Sequence, residues 1–474
     1  MTRRNIPATA VSTVAQAAGA RLDSAVTVTG VSDDSRTVEP GDLFFCIRGE
    51  KHDGHSLAAA AVAAGAVALV VDTVVDVDPS VAQIVVPDVR ASTGPVVSEL
   101  LGHPSASLRM VGVTGTNGKT STVAFVAGIL RACGHDPFVV GTLTGTRTTP
   151  EPLELQGLLA DAVGRGATHC VMEVSSHALV LHRVAGITFD VAVFTNLGHD
   201  HLDFHGTMES YLAAKASLFA PGTAVTGVIN SDDVAGSTIL SSCVIPCVPV
   251  TRASLGGVRV TASSVSFTWR GHECAAPVGG GFAVDNLHAA LEAAVALGIE
   301  PARAAHAVPG LEAPAGRFQS VPTGSDYAVI VDYAHTPDAL GALLRSVREL
   351  PHNRVTVVFG CGGDRDASKR AEMGRVASGL ADAVIITSDN PRTEDPLGII
   401  EQVRAGTTGA PASVSVEPDR AVAIASAISA AGSGDIVVIA GKGHESHQEI
   451  NGRLLEFSDA EAAREAVSRK GGSR

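Results

Sequence analysis

No stretch of this chain is apolar for long enough to cross a membrane. The longest uncharged apolar run, Leu57–Val71, is Ala-rich and interrupted by Gly65, whereas a bilayer-spanning helix needs about 20 such residues. The run reads instead as a helix followed by a strand. The opening MTRRNIPATA carries two arginines with no apolar signal core behind them. Basic charge is also short: 35 Lys and Arg stand against 49 Asp and Glu, a formal net charge of -14. That balance argues against a nucleic-acid coat or an anionic membrane surface as partner. A phosphorylated ligand remains compatible with it, because local basic loops and metal ions override net charge. The seven cysteines are scattered and odd in number. The nearest pair, Cys243 and Cys247, has no histidine close by, which speaks against zinc. A reducing, cytoplasmic compartment is the simpler expectation. Internal repeats and low-complexity tracts are missing as well.

What the chain does have is a large core. Hydrophobic residues make up 45% and charged residues 18% of 474, enough for about three domains at roughly 150 residues each. Short β-branched runs (Val111–Val113, Val171–Val174, Val191–Thr195, Val228–Asn230, Val329–Val331, Val355–Phe359, Val384–Thr387, Ile436–Ala440) alternate with helical stretches such as Thr122–Arg131 and Pro337–Leu350. The alternation predicts an α/β protein with parallel sheets covered by helices, whose ligands lie beyond the carboxyl ends of the strands. HPSASLR (His103–Arg109) and PGLEAPAGR (Pro309–Arg317) mark two boundaries, dividing the chain into 1–108, 109–314 and 315–474.

The strongest local signal is VGVTGTNGKTS, Val111–Ser121. A strand enters a Gly-containing loop and then a helix, so the loop's backbone N–H groups and the helix N-terminus can cradle phosphates, which makes Gly115, Thr116, Asn117, Gly118 and Ser121 candidate ATP contacts. Lys119 would reach the terminal phosphates of a nucleotide, and the Thr120 hydroxyl would bind Mg²⁺. The pattern departs from G-x-x-x-x-G-K-T at its first glycine, where Val113 stands. Glu173 ends an apolar strand in CVMEVSSHAL; it is either a solvated strand end or a carboxylate completing a Mg²⁺ site with Thr120. TNLGHDHLDFHG, Thr195–Gly206, is equally a zinc cluster or a polar turn. Lys215 in YLAAKASLF reads as a solvated helix lysine, and DNPR, Asp389–Arg392, as a Pro-containing turn after a strand.

Taken together and in order, TGTNGKTS, EVSSHAL, NLGHDHLDFHG and YLAAKASLF resemble the Mur ligases over nearly the whole chain. DDSRTVEPGDLFFCIRG, TTPE (Thr148–Glu151), GRF (Gly316–Phe318), DYAHTPDAL, GCGGDRD, DNPR and GKGHE look like the members that add the third residue of the UDP-muramoyl peptide. The resemblance implies an N-terminal UDP-binding domain, a central P-loop-type ATPase domain and a Rossmann-like C-terminal domain. It implies two Mg²⁺ ions, with Thr120, Glu173, His201 and a carbamylated Lys215 (N6-carboxylysine) as ligands. Carbamylation would turn a cation that repels Mg²⁺ into an oxygen donor. By the same resemblance Asn286 contacts adenine, with Ala283 where the family often has a second Asn, and Arg317 and Asp332 contact the ATP phosphates and ribose. Ser35 and Arg36 match the UDP site. Thr148, Thr149, Ser175 and Arg183 match positions that hold the muramoyl peptide, and Leu181 replaces a polar contact.

DNPR reads the incoming amino acid in this family. Arg392 would clamp the far carboxylate of meso-diaminopimelate bidentately, with Asp389, Asn390, Arg365, Gly441 and Glu445 as further contacts and Glu445 suited to the far ammonium. L-Lysine lacks that carboxylate and would leave a buried Arg unpaired, a mismatch that can discriminate by about 10⁴-fold. The implied reaction passes the γ-phosphoryl of ATP to the free D-Glu carboxylate of UDP-N-acetylmuramoyl-L-Ala-D-Glu. The acyl phosphate is then attacked by the amine of diaminopimelate, and His201 and His335 are candidates for the base. A folylpolyglutamate synthase would share the ATP core, but DSR, TTPE and DNPR argue against it. The intact set Lys119, Glu173, His201 and Lys215 argues against a nucleotide-binding regulator that has lost turnover.

Overall fold

A computed structural model gives the structure of residues 3–49 and 52–471. These divide into two compact units. The first runs up to Leu197 and adds His201–Pro249 and Glu292–Ile299; the second holds Gly198–Asp200, Val250–Leu291 and the chain from Glu300 onward.

The first unit carries two sheets. A five-stranded sheet orders Arg3–Ala10, Thr27–Ser32, Asp42–Phe45, Ala68–Val71 and Ala82–Val85. The Leu57–Val71 run resolves, as expected, into the helix Ala58–Ala63 and the strand Ala68–Val71. A six-stranded sheet follows the order Cys247–Val250, Ala224–Asn230, Phe189–Phe194, Arg109–Thr114, His169–Glu173 and Pro137–Val140. Its central strands pair in parallel and are buried on both faces, which is why Val111, Val113, Val171, Val191 and Val193 read as continuous apolar runs. The two sheets share packing: Leu153, from the helix Pro152–Gly164, sits in the core of the five-stranded layer, and Arg4 pairs with Asp161 of the same helix.

In the second unit a six-stranded sheet orders Gln319–Val321, Ala328–Asp332, Ile436–Ala440, Val355–Phe359, Ala383–Ile386 and Ser413–Val416. Asp332 aligns with Ala440, Ala440 with Phe359 and Phe359 with Ile386. The four neighbouring strands therefore release DYAH, GKGHE, GCGG and SDNPR from one edge. The helix Pro337–Arg348 starts where its sequence dictates: Thr336 accepts from the Ala339 N–H, Pro337 occupies the first turn, and Arg345 and Arg348 lie in the last.

Three features depart from uniform parallel alternation, one of them the antiparallel hairpin of His447–Ile450 and Arg453–Glu456. Arg3–Ala10 and Gln319–Val321 are antiparallel edge strands. Gly256–Val260, Val265–Trp269 and His272–Ala276 form a separate antiparallel sheet. The second of its turns is a two-residue hairpin, with Arg270 and Gly271 at φ 48° and 82° between the paired Trp269 and His272. Both central residues of such a turn need positive φ, and glycine supplies one of them.

Beneath the sheet edge that releases SDNPR, Arg420 and Asp459 form an ion pair with both side chains fully buried, 2.7 Å from Nε to Oδ1. Arg420 Nη2 also donates to the Ala440 carbonyl at 2.9 Å and Nη1 to that of Ser388 at 3.3 Å, so one guanidinium ties two strand ends together. Removing one partner of a buried pair leaves the other uncompensated, at about 3–5 kcal/mol. Arg420→Ala should lower stability by about that amount, read as a shift of the urea midpoint. An unchanged midpoint would show that leaving Asp459 without its partner costs nothing.

Candidate active site

The carboxyl ends of three adjacent strands build the floor of the phosphate loop. After Thr114 the chain turns through Gly115, at φ 150°, where a Cβ would lie 1.8 Å from Thr195 Oγ1, and Gly118, at φ 85°, caps the helix Lys119–Ala132. The neighbouring strand ends at Phe194, and its next two residues hold the loop. Thr195 Oγ1 donates to the Asn117 carbonyl at 2.6 Å, Asn196 Oδ1 accepts from the Asn117 N–H at 3.0 Å, and the Asn196 carbonyl accepts from the Thr116 N–H at 2.9 Å. Lys119 Nζ donates to the carbonyls of Gly115 at 2.8 Å and Thr116 at 2.9 Å, which curls the lysine over the loop. Ser121 follows in the first turn of the helix.

Glu173, 2% exposed, is the next strand end. Its carboxylate accepts from Thr120 Oγ1 at 3.1 Å, the Thr142 N–H at 2.8 Å and Thr142 Oγ1 at 3.3 Å. Thr120 and Glu173 are thus adjacent hard oxygen donors, the chemistry that suits Mg²⁺. Lys215, on the helix Met208–Ala216, is 1% exposed, with Nζ 4.4 Å from the centre of the Tyr211 ring. Tyr211 OH lies 3.1 Å from Thr116 Oγ1, which links the lysine's helix to the phosphate loop. The solvated-lysine reading is therefore wrong. As an ammonium Lys215 does not suit a cation site; as a carbamate it would. His201, in the left-handed region at φ 54°, packs edge-on to His177 at 4.7 Å between centroids, and His177 stacks on Phe204 at 4.1 Å. These rings meet as an aromatic cluster, and among the described residues no three His, Cys, Asp or Glu side chains gather into a metal cage.

Thr149 connects this floor to a polar wall. Its buried hydroxyl donates to the Glu173 carbonyl at 2.9 Å and accepts from the Ser175 N–H at 3.1 Å. Ser175 caps the short helix Ser176–Val180, which Leu181 ends. Thr148 Oγ1 lies 3.1 Å from Thr142 Oγ1. Arg183 donates to the Thr149 carbonyl at 3.2 Å and pairs with Glu151 at 2.7 Å, and Arg90 approaches Glu151 at 3.6 Å. Three cations, Arg90, Arg147 and Arg183, converge on this one carboxylate, leaving positive charge in excess where an anion could bind. Ser35 is half-buried, and the exposed Arg36 folds back on Asp34 at 2.6 Å. Burial pushes the neighbouring Asp33 carboxyl up to about 6.

In the second unit Asn286 is buried on the helix Gly281–Ala296, one turn from the buried Ala283. Both oxygens of Asp332 are taken by the backbone, Oδ2 by the Phe318 N–H at 2.7 Å and Oδ1 by the Ala334 N–H at 2.8 Å. The Arg317 guanidinium lies 4.7 Å from the Tyr333 ring centre. His335 is exposed, with its Nδ1 2.8 Å from the Tyr333 carbonyl.

The DNPR loop is mostly buried. Asp389 and Asn390 are each 7% exposed; burial raises the Asp389 carboxyl, with Arg420 and Lys442 pulling against it. Gly441, at φ 116°, has no room for a side chain, since a Cβ would lie 2.7 Å from Asp389 Oδ2. Arg392 holds φ 53° because both its backbone groups are bonded: its N–H to Glu449 O at 3.0 Å and its carbonyl to the Asn451 N–H at 2.6 Å. Its guanidinium reaches the Gly363 carbonyl at 2.5 Å and Glu449 Oε2 at 3.3 Å. Glu445 meets Asn390 and Lys442, whereas Arg365 is exposed on its loop. Thr142, Thr195, Asn196, Lys442 and Glu449 were not singled out by the sequence. Thr195 and Asn196, immediately after a strand facing a phosphate loop, carried a usable signal; Glu449, a hairpin residue, carried none.

Three family models match in tandem: the Mur ligase family catalytic domain over residues 27–101, the Mur ligase middle domain over 113–294, and the Mur ligase glutamate ligase domain over 316–443. The chain is 41% identical to the UDP-N-acetylmuramoyl-L-alanyl-D-glutamate–2,6-diaminopimelate ligase of Syntrophomonas wolfei, covering 94% of this chain and 95% of that one. It is 43% identical to the ligase of the same name from Gloeobacter violaceus, covering 94% and 95%. A solved structure of a ligase with this name superposes with a TM-score of 0.68 at 34% identity, over 93% of this chain and 95% of the other. The chain belongs to the Mur ligase family and groups with its 2,6-diaminopimelate ligases.

Proposed function

We propose that this protein joins meso-2,6-diaminopimelate to UDP-N-acetylmuramoyl-L-Ala-D-Glu at the expense of ATP, in the cytoplasm. The observation that carries the reading is the pair of sites on one chain: a phosphate loop floored by Glu173, and a buried DNPR loop beside Glu445. We take 1–108, 109–314 and 315–474 as the domains for UDP, for ATP and chemistry, and for the amino acid. Gly115–Ser121 hold the phosphates, Asn286 the adenine, and Arg317 and Asp332 the remainder of the nucleotide. Ser35, Thr148, Thr149, Ser175 and Arg183 hold the UDP-muramoyl peptide.

The chemistry follows from charge. The γ-phosphoryl passes from ATP to the D-Glu carboxylate, and both reactants are anions. Lys119 swings from the loop carbonyls to the transferring phosphoryl, where a positioned cation is the main catalytic need. Two Mg²⁺ ions, held by Thr120, Glu173, His201 and carbamylated Lys215, would neutralise further charge there. Thr149 and Arg183 orient the acceptor, with Arg183 suited to a carboxylate. The diaminopimelate amine then attacks the acyl phosphate and phosphate leaves. Arg392 reads the far carboxylate, Asp389 and Asn390 supply polar partners, and Arg365, Gly441 and Glu445 complete the pocket.

ADP release should require UDP-N-acetylmuramoyl-L-Ala-D-Glu and diaminopimelate together. Equal turnover with a folate acceptor, or none with the muramoyl substrate, would overturn the assignment.

Lys215 should carry a carbamate in the active enzyme. Lys215→Ala should abolish activity, with partial rescue by a short carboxylic acid filling the space. ¹³C NMR of protein equilibrated with ¹³CO₂ should show the carbamate carbon, and its absence from active protein would refute the modification.

Arg392→Ala should raise the diaminopimelate KM by more than about tenfold, since losing one partner of a buried charge pair costs about 3–5 kcal/mol and about 1.4 kcal/mol is tenfold. The arginine side chain is 23% exposed, so the effect falls below the full value. The ATP KM should stay near wild type, and L-lysine should gain relative to diaminopimelate. An unchanged preference would move the source of specificity away from DNPR.

A further inference from the structure

Lys442 is a lysine with no exposed side-chain surface, in a loop that otherwise contributes glycine and Glu445 to the site. Burying an ammonium is costly unless its donors are satisfied. Here Nζ donates to Asn390 Oδ1 at 3.0 Å and to Glu445 Oε2 at 2.9 Å. The two acceptors are joined in turn, Asn390 Nδ2 donating to the same Glu445 Oε2 at 2.7 Å. Asn390 Oδ1 also accepts from the Glu449 N–H at 3.0 Å. The triangle leaves one arrangement. The amide oxygen of Asn390 faces Lys442, its NH₂ faces Glu445, and Glu445 has Oε2 committed while Oε1 takes no part.

We propose that Lys442 is a positioning residue: it fixes Glu445 and Asn390 so that the remaining oxygen of an ionised Glu445 meets the far ammonium of the incoming diamino acid. This deepens the reading of the DNPR loop as the amino-acid site and rests on it. A glutamate side chain that is 27% exposed can take several rotamers, and the contacts from Lys442 and Asn390 to Oε2 hold it in one. Burial alone would raise the Glu445 carboxyl; the Lys442 ammonium, hydrogen bonds from Lys442 and Asn390, and His447 together hold it below the ordinary carboxylate value. The other charged or titratable groups coupled electrostatically to it are Tyr333 and Arg420, with Asp389 beside them. Arg420 is already neutralised by Asp459, so Lys442 is the cation in direct contact.

The test is a KM profile for diaminopimelate against pH in wild type, Lys442→Met, Glu445→Gln and the double variant. Wild type sets the reference profile: Glu445, held below the ordinary carboxylate value, adds no acid rise of its own to the pH dependence that deprotonation of the attacking amine already gives. Lys442→Met should raise that KM roughly tenfold or more, as for a lost charge-assisted contact. Its KM should climb further as pH falls, since protonation of a less supported Glu445 removes the ammonium partner. The ATP KM should not move. In the Glu445→Gln background Lys442→Met should add little and show no acid rise, because the group it acts through is gone. A merely structural lysine would shift all substrates together, leave the pH profile parallel to wild type, and add its full effect in the double variant; any of these overturns the proposal. If Lys442→Met does not fold, Lys442→Gln, which keeps a donor to Asn390 but no charge, is measured in its place. Absence of wild-type turnover with diaminopimelate would instead reject the functional reading beneath it.

Discussion

A carboxyl group on a residue with 2% of its surface exposed must be met by hydrogen-bond donors, because burying a polar group without partners is costly. Glu173 meets that requirement at the carboxyl end of a central parallel strand, and much of the first unit's site is arranged around it. Thr120, from the first turn after the phosphate loop, and Thr142, from the next strand's exit, donate to its side chain. Thr149 donates to its backbone carbonyl. The Thr120 hydroxyl, the Thr142 amide and the Thr149 hydroxyl are thus all referenced to one amino acid. Gly141 is part of the same constraint, since a Cβ there would lie 2.5 Å from Glu173 Oε1.

The second unit follows the same rule with more charges. Arg420 and Asp459 neutralise each other under the sheet edge, and Lys442 is neutralised through Glu445 and Asn390. Asp389 sits between these cations with its carboxyl raised by burial. Buried ion pairs of this kind add little net stability but fix geometry. In the DNPR loop they hold Asn390 and Glu445 in one arrangement, and the backbone of Arg392 is pinned in a left-handed conformation by bonds to Glu449 and Asn451. The cost of that conformation is met by the surrounding loop, a pattern typical of sites that must be preorganised.

Much of this was legible along the chain because it is local. The phosphate loop, the strand-end Glu173 and the four motifs on neighbouring strands each follow an apolar run that can only be a buried strand. The Thr336 cap is likewise written within a few residues of the helix it starts. What was not legible depends on partners far apart in sequence. The burial of Lys215 is set by packing, and YLAAKASLF alone reads as an exposed helix. The approach of Glu449 to Arg392 comes from a hairpin 57 residues away in sequence, given Arg392 and Glu449. The antiparallel sheet of residues 256–276 was hidden because its strands are short and its turn signal, Arg270–Gly271, is only a dipeptide. Asp332 shows a further limit: its place at a strand end was readable, but not that the Phe318 and Ala334 N–H groups occupy its two oxygens.

The roles proposed for Glu173, Thr120 and Lys119 meet in transfer of a phosphoryl group onto a carboxylate, and oxygen labelling tests that step most directly. UDP-N-acetylmuramoyl-L-Ala-D-Glu carrying ¹⁸O in both D-Glu carboxylates would be turned over with ATP and diaminopimelate, and the released phosphate analysed by mass spectrometry. An acyl phosphate leaves one carboxylate oxygen on phosphorus, so the phosphate should carry a single ¹⁸O per turnover of fully labelled substrate. Phosphate without label, formed alongside the amide product, would contradict activation of the carboxylate by ATP.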